Sequence, residues 1–185
     1  YPVTTMPISD ANPQGNGFVD YVLWGDDGTA LAVVEAKRTS RRPEDGQQQA
    51  KLYADCLARQ CGVRPIIFYS NGYETYLWDD ACYPPRKVQG FYTKDELALM
   101  IKRRSDRVAF FSDDKGKGKK LTTQINEDIT NRHYQKAAIT HILQHFDLEH
   151  QRKALLVMAT GTGKTRTVIS LVDLLVKNNW VKNVL

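Results

Sequence analysis

Cysteine is scarce in this chain of 185 residues: only Cys56, Cys61 and Cys82 occur, and no two are spaced as CxxC. An odd number without that spacing argues against a disulfide framework or a zinc ribbon, and fits a reducing cytoplasm. No stretch approaches the ~20 consecutive apolar residues that a membrane-spanning helix needs, so no membrane partner is expected. The N-terminus has no signal-peptide pattern, and no internal repeat is present. With 42% hydrophobic and 25% charged residues, the composition excludes collagen-like, mucin-like and wholly disordered chains. The length suits about one domain, or one domain and part of a second. The sequence opens Tyr1-Pro2-Val3 without an initiator Met and stops shortly after a new structural unit begins, so a fragment of a longer protein is expected.

The net charge of +5 is unevenly spread. Residues 1–100 carry 10 basic and 13 acidic side chains, whereas residues 101–185 carry 16 and 8. The second part thus suits a polyanionic partner.

Alternation over 18–24 predicts a strand, the Gly25-Asp26-Asp27-Gly28 run a tight turn, and the nearly continuous apolar run 30–37 a strand buried mid-sheet. Residues 47–60 have helical spacing. Two further strands, 65–70 and 73–78, flank Asn71-Gly72, a strong hairpin signal. Thr93 is placed to cap a helix reaching about Lys102, with Glu96 completing a capping box. Residues 103–130, centred on the charged run 113–120, read as a mobile linker or loop. A helix over about 132–146, a strand over 154–158 and a helix from Gly163 to about Lys177 follow.

The turn Thr160-Gly161-Thr162-Gly163-Lys164-Thr165 lies where an apolar strand would hand over to a helix. Its backbone N–H groups and the helix N-terminus would cradle a polyphosphate, with Lys164 on the β/γ-phosphates and the Thr165 hydroxyl on Mg²⁺. Met158 stands where the general pattern GxxxxGK[ST] has its first Gly.

A second constellation lies upstream. Glu35 and Lys37, two apart on a strand, project from one face, and Asp20 sits across the hairpin. Two carboxylates converging with a backbone carbonyl form a hard oxygen site suited to Mg²⁺. A neighbouring Lys orients water and stabilises charge developing on a phosphate. Taken alone, Glu35-x-Lys37 reads as a strand-end salt bridge. Gln49 and Tyr53, i and i+4 on the following helix, share one helix face and could point back toward the strand ends. His141 and His145 read as surface histidines, and Tyr69, Tyr73, Tyr76 and Trp78 as sheet packing.

Val19-Asp20 with Glu35-x-Lys37 resembles the PD-(D/E)xK nuclease superfamily, and Gln49-x-x-x-Tyr53 resembles the QxxxY motif of a subset of it. The upstream acidic residue of many members has only Asp10 as a counterpart here. MATGTGKT resembles motif I of superfamily 2 helicases and translocases, which tolerate Met158. Tyr134-Gln135, with Gln135 lying 29 residues before Lys164, looks like that family's Q motif and implies an adenine contact for Gln135. A nuclease placed before the motor resembles the R subunit of type I restriction–modification enzymes; in type III restriction subunits the nuclease follows the motor. The resemblance implies a mixed sheet flanked by helices over residues 1–103, a linker over 104–130, and the first elements of a RecA-like α/β domain over 131–185. It also implies Mg²⁺-dependent cleavage of double-stranded DNA, ATP-driven translocation, and a complex with methyltransferase and specificity subunits. By this carry-over Asp20 and Glu35 hold metal, Lys37 is catalytic, Gln49 and Tyr53 support it, and residues 160–165 with Gln135 hold ATP. This stretch by itself is not expected to turn over ATP, since motif I is followed by too few residues for an acidic Walker B strand. The alternatives are another nuclease–helicase fusion in repair or defence, and a degenerate nuclease fold acting as a DNA-binding or docking module.

Overall fold

The computed structural model describes residues 1–4, 6–7, 14–113 and 118–185. Asp10 and the lysines at 115 and 117 lie outside the described residues. The chain divides into two compact units, Tyr1–Arg104 and Ser105–Leu185.

In the first unit, β1 (Pro2–Val3) pairs with β2 (Gly17–Phe18). A five-stranded sheet follows, with neighbours in the order β3 (Tyr21–Trp24), β4 (Ala30–Ala36), β5 (Ile66–Ser70), β6 (Thr75–Trp78) and β7 (Arg86–Val88). Only β4 and β5 run parallel. A parallel neighbour needs a crossover, and α1 (Gln47–Cys61) supplies it, entered through a 3₁₀ turn at Pro43–Gly46. The sheet is therefore mixed and flanked by helices, as the sequence reading expected.

The strand expected over 18–24 is divided. Val19 donates its N–H to the Tyr1 carbonyl at 2.9 Å, so the chain pairs with β1 up to that point. From Tyr21 it pairs with β4. The change of partner leaves Asp20 at the junction.

The continuous apolar run of β4 is buried because both sheet faces are covered. On one face Ala50, Tyr53, Ala54 and Leu57 of α1 pack with Val33, Ile67 and Tyr69. On the other, Leu97 of α2 (Lys94–Asp106) packs with Ala32, Val34, Ile66 and Phe68. Gly62, at φ +73°, ends α1 by donating its N–H to the Ala58 carbonyl at 2.9 Å, a left-handed cap that favours Gly. The capping box of α2 is formed: Thr93 N–H donates to Glu96 Oε2 at 2.8 Å, and the bonds hold the Glu96 carboxyl below the usual range.

The second unit holds the strand pair β8 (Phe111–Asp113) and β9 (Lys119–Leu121), then α3 (His133–Asp147) and α4 (Lys164–Lys177). Two expectations need correction here. The stretch read as a linker contains β8 and β9, and buries Phe110 and Phe111 with Ile139, Leu143 and Leu174. Asp147 fixes it by accepting the Phe110 N–H at 2.7 Å and the Phe111 N–H at 3.2 Å. Two adjacent aromatics outweighed the polar composition around them. The strand expected over 154–158 is not formed; Leu155 and Val157 are 89% and 83% exposed. A strand is held by neighbours that accept and donate its backbone bonds, and none among the described residues pairs with this segment. The first strand of a RecA-like sheet is thus absent from the described residues. No described helix is long and apolar enough to cross a membrane.

Candidate nuclease site and phosphate loop

β4 ends in Glu35, Ala36 and Lys37, with Lys37 N–H still bonded to the Ser70 carbonyl at 2.8 Å. Because strand side chains alternate, Glu35 and Lys37 share the face covered by α1. Asp20 approaches from the start of β3, where its Oδ2 accepts the Ala36 N–H at 2.8 Å. The carboxylate thus takes a backbone donor at the end of β4, which fixes it beside Glu35.

The five nuclease candidates come together. Lys37 Nζ donates to Glu35 Oε1 at 2.6 Å and to Gln49 Oε1 at 2.9 Å, and Gln49 Nε2 donates to the Tyr53 hydroxyl at 2.7 Å. Gln49 and Tyr53 reach back because i and i+4 lie on one helix face. Gln48, a neighbour in sequence, is exposed. The network orients the ammonium from two sides and leaves Tyr53 buried at its far end.

Glu35 is 3% exposed, and its Oε2 accepts no hydrogen bond. Burial pushes the carboxyl above the usual range, the Lys37 bond pulls it down, and the nearby Asp20 charge pushes it up. A buried carboxylate oxygen without a donor is the donor chemistry a divalent cation takes up. No group of three or more His, Cys, Asp or Glu able to hold a metal occurs among the described residues. Asp20 and Glu35 bring two carboxylates to the end of β4, a donor set of the kind a hard cation shares with water and phosphate.

One neighbour escaped the sequence reading. Gly46 lies against the site: a methyl there would stand 2.9 Å from Glu35 Cγ and 3.1 Å from Lys37 Cε. The only signal was a Gly just before the helix. Tyr69 pairs with Glu35 in register and stacks on Tyr76 at 5.1 Å. Burial, then the Glu44 charge, pushes its hydroxyl up to about 12, so it stays protonated and is unsuited to act as a base.

In the second unit, the loop before α4 turns through Gly161 at φ +78° and Gly163 at φ +87°. Thr162 Oγ1 donates to the Ala159 carbonyl at 2.6 Å, closing the turn. Lys164 and Thr165, at the start of α4, are exposed, as is Thr160. Gln135 is buried, and its amide donates to the Thr162 carbonyl at 3.0 Å, while the Tyr134 hydroxyl donates to the same carbonyl at 2.9 Å. The structure therefore places Gln135 on the loop backbone. A Cβ at Gly163 would stand 2.4 Å from Gln135 Nε2, so the approach depends on glycine twice, through its φ and through the space. His145 pairs with Glu149 at 2.6 Å.

Two family models match the chain, and both describe restriction-enzyme subunits. Residues 8–86 match the type I restriction enzyme R protein N terminus, and residues 128–185 match the type III restriction enzyme, res subunit. Over residues 8–86 the chain is thus similar to the N-terminal region of type I restriction enzyme R proteins. It is 29% identical over 188 residues to the type I restriction enzyme EcoAI endonuclease subunit of Escherichia coli, a match covering 90% of this chain and 20% of that protein. A solved fragment described as an HsdR subunit of a type I restriction enzyme from Vibrio vulnificus YJ016 is 24% identical, with a TM-score of 0.45, covering 98% of this chain and 33% of that one. The chain thus spans a fifth of the curated relative's length.

Proposed function

We propose that this chain is the nuclease-bearing part of a type I restriction subunit, cleaving double-stranded DNA by Mg²⁺-dependent phosphodiester hydrolysis. The observation that carries the reading is the continuous network from Glu35 through Lys37 and Gln49 to Tyr53, with Asp20 fixed beside it. A chance ExK salt bridge accounts for its first link alone.

Asp20 and Glu35 would hold the ion, which would lower the pKa of an attacking water and offset charge on the phosphate. Lys37, oriented from two sides, stabilises the developing phosphorane charge and positions the water. Gln49 sets the height of the ammonium, and Tyr53 holds the Gln49 amide in the orientation that presents its oxygen to Lys37. In the second unit, the loop 160–165 binds the phosphates of ATP, with Lys164 and Thr165 as side-chain contacts. Gln135 braces that loop and, through its remaining amide oxygen, reaches the adenine. In the whole protein, ATP-driven translocation and assembly with methyltransferase and specificity subunits complete the activity.

The test is nicking of supercoiled plasmid with Mg²⁺ or Mn²⁺, by the chain and by its complex with co-expressed methyltransferase and specificity subunits. Asp20→Asn and Lys37→Ala are expected to lower cleavage by about 100-fold or more, in line with removal of one charge-stabilising group. Cleavage unchanged in both variants would sink the reading and favour a docking module.

A further inference from the structure

We propose that the turn Arg38–Arg42 is a phosphate clamp that seats the DNA backbone at the Glu35–Lys37 site; this rests on the nuclease reading above. The turn leaves β4 directly after Lys37. Arg41 N–H donates to the Arg38 carbonyl at 2.9 Å, and Asp45 N–H to the Arg42 carbonyl at 3.2 Å, so its backbone is set at both ends. A third tie comes from the β5–β6 hairpin. Asn71, buried, donates its side-chain amide to the Arg41 carbonyl at 2.9 Å. Its Oδ1 accepts the Tyr73 and Glu74 N–H groups at 3.1 and 2.9 Å. One amide thus closes the hairpin and pins the basic turn.

The arginines themselves are exposed, and no carboxylate pairs with them among the described residues. Structural arginines in the same unit are treated otherwise: Arg64 pairs with Asp55 and Asp80, and Arg104 with Asp79. Residues 1–100 carry more acidic than basic side chains, so attraction of a polyanion there needs a local concentration of positive charge. The turn provides it beside Lys37. Guanidiniums on phosphates read no sequence, so the clamp is nonspecific.

The test is fluorescence anisotropy of a labelled duplex of about 30 base pairs with Ca²⁺ in place of Mg²⁺, at salt from about 50 to 200 mM. Replacing Arg38, Arg41 and Arg42 with Ala is expected to weaken binding tenfold or more. It should also flatten the log–log salt slope by about 2–3, near 0.9 for each phosphate no longer neutralised. Asn71→Ala, which changes no charge, is expected to weaken binding several-fold. Lys119→Ala, Lys120→Ala and Lys153→Ala combined remove the same charge and should keep the slope. No measurable binding by the wild type, a wild-type slope in the arginine variant, or an equal loss in the lysine control would overturn the clamp. Binding is read without cleavage. Failure of the nuclease reading would appear separately, as nicking indifferent to Lys37→Ala.

Discussion

Replacing Glu35 with Gln removes the charge from the least exposed member of the site while keeping its shape. In the wild type Glu35 Oε1 meets Lys37 at 2.6 Å and Oε2 meets no donor. A buried charged oxygen left unsatisfied costs about 1–3 kcal/mol, and burial is the leading reason the carboxyl lies above its usual range. The folded state therefore keeps a proton that the unfolded chain has released. Stability from this residue is complete below the ordinary glutamate range and falls as pH rises through the raised folded value. Glu35→Gln abolishes that fall. Lys37 retains Gln49 and meets an amide oxygen in place of the carboxylate, so losing the ion pair offsets only part of the gain. Near pH 8 the variant is expected to be about 1 kcal/mol more stable, and near pH 4 the difference should shrink. Divalent metal reverses the order. An ion that binds only the folded state stabilises it by about 1.4 kcal/mol at ten times its Kd. For a unit of about 100 residues that is roughly 6–11 °C in Tm. Thermal melts at both pH values, in EDTA and in Mn²⁺, give all four comparisons. An equal metal shift in both proteins, or a variant less stable at pH 8 with an unchanged pH slope, would refute the reasoning.

Gly46→Ala places a methyl 2.9 Å from Glu35 Cγ and 3.1 Å from Lys37 Cε. It is expected to displace the ammonium and cut the nicking rate at least tenfold, while costing about 1–3 kcal/mol of stability for overpacking; full activity would place the site elsewhere. Gln135→Ala removes the amide that donates to the Thr162 carbonyl at 3.0 Å. Fluorescent ATP-analogue binding should weaken about tenfold, near the 1.4 kcal/mol of one buried hydrogen bond, and unchanged affinity would reduce Gln135 to a packing residue.

The constellation of the first unit was legible through its motif resemblance, and period placed four of its five parts. Alternation placed Glu35 and Lys37 on one face, and helical spacing brought Gln49 and Tyr53 onto another. Gly46 and Asn71 were hidden because their roles depend on segments distant in the chain: one is a space requirement against Glu35, the other a bond reaching back to Arg41. Phe110 and Phe111 were missed because composition averages over a stretch, whereas burial selects single side chains.

The sequence by itself determined four of the five strands of the mixed sheet, the capped start of α2 and the tight glycine loop before α4, since these follow from local spacing and backbone preference, and its motif resemblance supplied the residues of the candidate site. Only the tertiary structure decided that the ammonium of Lys37 bridges Glu35 and Gln49, that the chain changes partners at Asp20, that Gln135 lies on the loop before α4, and that residues 154–158 stay unpaired. Side-chain bonds between elements and backbone pairing between strands depend on where distant segments meet, and periodicity along the chain carries no record of that.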